Sequence, residues 1–292
     1  MTIRLIATDL ADPGQERTMN EDVAYQEVKQ ASGEETWGLF IVADGMGGHL
    51  GGELASKWAV QAIRTELANQ FAPRDPGVTI KLDRAELEQN LRRTGQTVLL
   101  PETLERRQDE KMRRQDEKMK AAIEAAIQRA NAVLRDLARN RPEKAADTGS
   151  TVTMAVVQGN RAYVANVGDS RTYLFRDKQL RQITTDHSLV ASLVTQNQIE
   201  PDEIYTHPQR NVIYRSLGEK PEVTADIFME TLQAGDQLIL CSDGLWEMVR
   251  DEQLAKIVEK APDVGEACRR LVQAANDNGG EDNISVIVVR VE

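Results

Sequence analysis

Five aspartates sit where short apolar segments begin or end, and this placement limits what the chain can fold into more than any other feature. Asp44 follows the apolar run 39–43 and precedes Gly45, Gly47 and Gly48. Asp243 closes the run 238–241 and precedes Gly244, while Asp282 stands just before the last apolar segment, 284–291. Asp169 closes the segment 161–167, and Asp22 stands just before residues 23–28. A carboxylate at the end of a buried strand is costly to desolvate unless it meets a cation. Hard divalent cations such as Mg²⁺ or Mn²⁺ take oxygen ligands from carboxylates, backbone carbonyls and water. Glycine after such a ligand lets the neighbouring backbone come close to the ion. One Asp-Gly is a turn, but five aspartates so placed in one chain point to a metal centre. No cysteine or histidine spacing indicates a structural zinc site.

The segments around these aspartates alternate in character along the chain. Residues 3–8, 23–28 and 38–43 read as strands, and 51–70 as a helix whose Leu54, Trp58, Ile63 and Leu67 share a face. Strands are expected again at 150–157 and 161–167, joined by the turn Gln158-Gly159-Asn160, then at 171–175, 226–230, 237–242 and 284–291. Helices are expected at 251–260 and 263–276. Strands come in runs and helices in pairs, without regular βαβ alternation, so the fold class is α+β. The 292 residues are at the upper edge of what one core serves, so one domain, 1–292, with an appendage is expected.

The appendage falls near the middle of the chain. Residues 102–140 hold no Gly or Pro, and Met119, Ile123, Ala126, Ile127, Ala130, Val133, Leu134 and Leu137 form a stripe at helical spacing. Before the stripe lies an identical tandem heptad, Arg-Arg-Gln-Asp-Glu-Lys-Met at 106–112 and at 113–119. One apolar residue in seven is too few for a coiled-coil seam. Asp109 with Arg113, Glu110 with Arg114 and Asp116 with Lys120 have the spacing of i,i+4 pairs. This charged helix, 102–119, is read as a solvated extension, with a partner-binding arm as the alternative.

Charge and composition exclude several classes. The excess of 47 acidic over 36 basic residues gives −11, which is not the footprint of a nucleic-acid binder, and 4% aromatics make no stacking platform. Such a chain repels phosphorylated substrates unless a cation stands between them. No apolar run approaches the roughly 20 residues of a membrane span. The N-terminus has no apolar stretch with a cleavage site; the two cysteines, Cys241 and Cys268, are too few for a disulfide scaffold, and Cys241, continuing an apolar run, reads as a buried free thiol. A cytoplasmic location is expected.

The residues also carry a family resemblance. Arg17-Thr-Met-Asn-Glu21-Asp22, Val42-Ala-Asp44-Gly45-Met-Gly-Gly-His49 and Thr148-Gly-Ser-Thr151 come in that order. Val167-Gly-Asp169-Ser-Arg171, Ser242-Asp243-Gly244-Leu-Trp246 and Glu281-Asp282-Asn283 follow. Six ordered motifs over residues 17–283 resemble the metal-dependent serine/threonine protein phosphatases of type 2C (PPM), and the bacterial branch in particular.

The resemblance implies two antiparallel sheets packed face to face with helix pairs outside them. It implies hydrolysis of phosphoserine and phosphothreonine in phosphoproteins by a water between two Mg²⁺ or Mn²⁺ ions, without a covalent phosphoenzyme. In that scheme Asp44 bridges the metals, the Gly45 carbonyl binds one, and Asp243 and Asp282 hold the other. Glu21 and Asp22 take metal-bound waters, and Asp169 joins Asp243 at a third, weaker metal. Arg17 is the phosphate-binding arginine. Eukaryotic members carry a histidine where this chain has Met46, so His49, as candidate proton donor, stands beside its reading as a plain loop residue. His187 is read as structural. The resemblance also implies a flap at 188–218, an insertion at 72–119, and substrates or partners in a serine/threonine kinase system.

Overall fold

Alternate side chains of a strand face opposite ways, and here both faces of the central strands are buried. The structure, a computed structural model, describes residues 3–29, 36–47, 50–71, 101–140 and 148–292. Its first elements are β1 (Leu5–Asp12), β2 (Asp22–Lys29), β3 (Trp37–Met46), α1 (Leu50–Phe71) and α2 (Pro101–Asn140). Then come β4 (Gly149–Ser150), β5 (Val152–Gln158), β6 (Arg161–Val167), β7 (Arg171–Arg176), β8 (Gln179–Gln182) and α3 (Leu189–Thr195). A 3₁₀ turn (Pro201–Tyr205), β9 (Asp226–Thr231), β10 (Gln237–Cys241), α4 (Asp243–Trp246), α5 (Asp251–Lys260), α6 (Val264–Asp277) and β11 (Ile284–Val291) complete it.

The strands form two sheets, ordered β1-β11-β10-β7-β8 and β2-β3-β5-β6-β9, with β4 beside β3. Every pairing is antiparallel. Strand alternation sorts the core into three layers. Phe40 and Val42 on β3, Leu238 and Leu240 on β10, and Ile287 and Val289 on β11 pack between the sheets. Leu39, Ile41 and Ala43 turn outward to α1 and α2. Ile239 and Cys241, with Val286 and Val288, turn outward to α4, α5 and α6. The result is the expected α+β sandwich, with helices over both outer faces. Cys241 is a buried free thiol, as read from the sequence, and so is Cys268; burial pushes both up, Cys268 to about 12.

Two helices depart from the sequence reading. On α1 the core face is Ala55, Ala59, Ile63 and Leu67, whereas Trp58 is exposed and Leu54 only half-buried. The stripe is shifted by one residue at the start of the helix because α1 begins in backbone contact with β3. A Cβ on Gly52 would lie 2.6 Å from the Gly45 carbonyl oxygen, so small side chains must face inward there.

On α2, Asp116 does not act as an exposed partner of Lys120. It is buried against β6, where it accepts hydrogen bonds from the Tyr163 hydroxyl at 2.6 Å and Arg161 Nη2 at 2.9 Å. Met119 is buried one turn later. Residues 109–114, including all described side chains of the first heptad copy, are exposed. The solvated part of the helix therefore ends before Asp116, and the second copy belongs to the packed fold. Of the segment 72–119 expected as an insertion, 72–100 lies outside the described residues.

The repeat supplies its own control. Asp116→Ala should cost about 1–3 kcal/mol by leaving the buried Tyr163 hydroxyl without its acceptor. The same change at Asp109, its exposed equivalent, should leave urea unfolding unchanged. Equal midpoints for the two variants would contradict the anchoring role of Asp116.

Candidate metal centre

The acidic centre is held by backbone before any carboxylate is considered. Strands β2 and β3 pair with Asp22 opposite Asp44, which sets two carboxylates side by side. Asp44 lies inside β3 rather than after it, because β4 extends the pairing past that residue. Thr151 N and Ser150 Oγ each donate to the Asp44 carbonyl at 2.9 Å, and Asp44 N donates to Thr151 Oγ1 at 3.2 Å. The Thr-Gly-Ser-Thr motif thus grips Asp44 by its main chain. Gly45 N donates to the Glu21 carbonyl at 3.2 Å, and a Cβ on Gly45 would lie 2.0 Å from the Gly52 carbonyl oxygen. Only glycine allows that approach.

Asp243 and Asp282 come from the other sheet. Ser242 N donates to the Ser285 carbonyl at 3.1 Å, and Ser285 N donates to Ser242 Oγ at 2.9 Å. A Cβ on Gly244 would meet the Asn283 carbonyl at 2.2 Å, so α4 begins directly against the Asp282-Asn283 backbone. Asn283 then ties in the loop that carries Arg17, Glu21 and Asp22. Its Oδ1 accepts from Glu21 N at 2.8 Å, and its Nδ2 donates to the Pro13 and Met19 carbonyls at 3.0 and 2.8 Å.

Asp169 occupies the crossing between the sheets, after Gly168 in a left-handed conformation (φ +107°). His187 holds that turn: Gly168 N donates to its Nδ1 at 3.0 Å, and His187 N donates to the Gly168 carbonyl at 2.9 Å. The reading of His187 as structural agrees with this geometry. Trp246 Nε1 donates to the Asp169 carbonyl at 3.0 Å, and its ring lies 3.5 Å from the Arg171 guanidinium. Arg171 is itself buried on Asp186, with Nε and Nη2 donating to Oδ2 at 3.0 and 2.7 Å.

The carboxylates repel one another. Burial pushes Asp22 up to about 7, with a further push from the Asp282 charge, while the nearby Ser242 and Ser285 hydroxyls and Asp44 favour its ionised form. Asp44 is held well above the usual carboxylate range by burial and then by Asp243, Asp22, Asp169 and Asp282. Asp243 is raised by burial, Asp169, Asp282, Glu247 and Asp22. Asp169 is pushed up to about 7 by burial, with Asp186 and Glu247 adding to it. Neither Asp22 oxygen has a hydrogen bond of normal geometry among the described residues. An all-oxygen donor set with buried, unmatched negative charge fits a hard divalent cation.

Among the described residues no three acidic, imidazole or thiol groups close on one point as ligands. Asp282 is moreover held by Arg17, whose Nη2 donates to Oδ2 at 2.7 Å, with the arginine side chain 53% exposed. His49 lies outside the described residues. One side chain at the rim, Arg210, had no signal in the sequence. Arg210 Nε donates to Glu247 Oε2 at 3.1 Å and its Nη2 to Glu281 Oε2 at 2.8 Å, across 37 and 71 residues of chain. Asn283 stood in a recognised motif, yet its role as a tie depends on partners more than 260 residues away.

A family model described as Protein phosphatase 2C matches residues 15–285. The chain belongs to the protein phosphatase 2C family. It is 32% identical over 281 residues to the serine/threonine protein phosphatase PstP of Mycobacterium tuberculosis, a match that takes in 96% of this chain and 44% of that protein. The chain thus spans less than half the length of that relative. It is 32% identical over 251 residues to the serine/threonine phosphatase stp of Listeria monocytogenes, covering 86% of this chain and 83% of that one. Among solved structures, the catalytic domain of PstP in complex with two manganese ions is similar with a TM-score of 0.72 and 30% identity, over 99% of each chain. No helix among the described residues is long and apolar enough to cross a membrane.

In this phosphatase 2C chain Asn283 should be the most sensitive residue that is not a candidate ligand. Asn283→Ala should cost about 1–3 kcal/mol, because the buried Asn283 side chain gives up three hydrogen bonds to the part-buried backbone of residues 13, 19 and 21. The measurement is urea unfolding in EDTA, which separates fold stability from metal binding. An unchanged midpoint would refute the tie.

Proposed function

We propose that this chain hydrolyses phosphoserine and phosphothreonine in phosphoproteins on a centre of two Mg²⁺ or Mn²⁺ ions, with a third, weaker site. The observation that carries the reading is that Asp22, Asp44, Asp169, Asp243 and Asp282 stand on adjoining strand ends and connections of the two sheets in a phosphatase 2C chain. The similarity to a phosphatase domain with two manganese ions supports the choice of cofactor.

Asp44 and the Gly45 carbonyl would hold one cation, and Asp44 would share the second with Asp243 and Asp282. Glu21 and Asp22 would act through bound water, and Asp169 with Asp243 would hold the third. Bound there, the cations would supply a more acidic water and positive charge against the phosphoryl oxygens. The carboxylates orient and balance that charge, and no side chain takes the phosphoryl group. Arg17 is half-exposed beside Asp282 and has guanidinium donors left for phosphate oxygens. His49 gives a proton to the departing serine or threonine oxygen.

The segment 188–218 borders the centre and is read as the flap that selects substrates. Its ends are pinned by bridges from Ser188 to Ile213 and from Ser150 to Leu217, and Arg210 fastens its middle to Glu247 and Glu281. Residues 72–119 are read as an insertion, and phosphoproteins of a serine/threonine kinase system as substrates or partners. The cytoplasm is the proposed compartment.

Phosphate release from phosphoserine and phosphothreonine peptides should require added Mg²⁺ or Mn²⁺ and stop with EDTA. Asp44→Asn and Asp243→Asn should each lower turnover by about a hundredfold or more, on the scale of a lost transition-state electrostatic contribution. Near-wild-type turnover in either metal-loaded variant would overturn the assignment. Asp169→Asn should leave the two-metal core occupied but lower turnover and change its dependence on metal concentration.

Arg17→Ala should mainly raise KM, since it binds phosphate in ground and transition states alike. His49→Ala should slow phosphoserine peptide far more than p-nitrophenyl phosphate, whose leaving group departs without a proton. Equal losses on both substrates would remove His49 as the donor.

A further inference from the structure

A cavity of about 700 Å³ lies between the segment 188–218 and the start of α5, apart from the carboxylate centre. That volume suits a small organic ligand. One wall is apolar, formed by Val190, Ala191 and Val194 of α3 and Ile204 of the 3₁₀ turn. The Arg171–Asp186 pair also lines the cavity and is satisfied within itself: Arg171 bonds Asp186 and Tyr173, and Gln182 Nε2 donates to Asp186 Oδ1 at 2.8 Å.

Charge decides what the cavity can take. Four acidic residues line it against two arginines. Arg171 is spent on Asp186, and the Arg250 guanidinium lies 3.5 Å from the Tyr205 ring centroid. An anion gains nothing from the start of α5, because Asp251 and Glu252 already occupy its first turn. Asp202, on the 3₁₀ turn, and Asp251, on α5, line the cavity from two elements, and neither has an ion-pair partner among the described residues.

We propose that this cavity binds a small organic cation, an amine or guanidinium on an aliphatic stem, with the stem along α3 and the charge beside Asp202 and Asp251. An occupant would join the segment 188–218 to α5. It would also rest on the Arg171–Trp246 stack, whose indole holds the Asp169 carbonyl. The cation can be a free amine or the arginine or lysine side chain of a bound phosphoprotein. The second source rests on the phosphatase reading; the binding itself does not.

The test is isothermal titration of the full chain with hexylamine, with hexanol and hexanoate as controls. Saturable one-to-one binding of hexylamine is expected, at least about tenfold tighter than either control, or about 1.4 kcal/mol. The exposed pair Asp202→Asn/Asp251→Asn should weaken hexylamine by about tenfold. Ala191→Trp should fill the cavity and abolish binding; if that variant does not fold, the aspartate pair decides alone. Equal binding of hexanoate or hexanol, wild-type affinity in the aspartate variant, or no saturable binding would each overturn the proposal.

Phosphopeptides separate the two sources. A KM that rises in the aspartate variant for arginine-containing peptides, but not for their alanine counterparts, assigns the cavity to a substrate side chain. An unchanged KM for both, with hexylamine bound by the wild type, assigns it to a free amine. Calorimetry needs no turnover, so its failure would leave the phosphatase reading standing.

Discussion

Mutual repulsion among Asp22, Asp44, Asp169, Asp243 and Asp282 is the constraint around which the rest of this molecule is arranged. Burial and the neighbouring carboxylates hold Asp44 and Asp243 well above the usual carboxylate range. The chain offsets this by fixing their main chains. Asp44 is gripped by Ser150 and Thr151, Asp169 by Trp246 and the His187-bound turn, and the Asp22 loop by Asn283. These bonds use backbone atoms and neutral side chains. The carboxylate oxygens are therefore left for a cation, apart from those of Asp282, which accept from Arg17 Nη2 and Asn283 N.

The sandwich explains how so few strands can supply such a centre. Asp22 and Asp44 belong to β2 and β3 of one sheet, whereas Asp243 follows β10 and Asp282 precedes β11 of the other. Asp169 lies on the short connection by which the chain passes from β6 in one sheet to β7 in the other. The acidic residues meet where strand ends of two packed sheets come together. Glycine at 45, 52 and 244 brings the backbones into contact there, and any Cβ would collide with a carbonyl.

The tandem heptad shows how far local sequence can be read. Its two copies are identical, and both read as exposed, charged helix. Asp109 is exposed and Asp116 is buried on Tyr163 and Arg161, a difference that comes only from how far each copy lies from β6. The same limit applied to α1, where helical spacing alone favoured Leu54 and Trp58 for the core. The close approach at Gly52 brought Ala55 and Ala59 inward instead.

By itself the sequence determined the fold class, the segment from 284 to 291 as a strand, the helix at 251–260, and the aspartates that gather at the centre. These follow from periodicity and from the cost of burying a carboxylate, both of which act over a few residues. Only the tertiary structure decided which groups hold the aspartates in place. Asn283 reaches residues 13, 19 and 21, Trp246 reaches Asp169, and Arg210 reaches Glu247 and Glu281. It alone formed the cavity between α3 and α5 as well. Each of these depends on long-range packing, because a hydrogen bond between residues far apart in the chain leaves no periodic trace in either partner's surroundings.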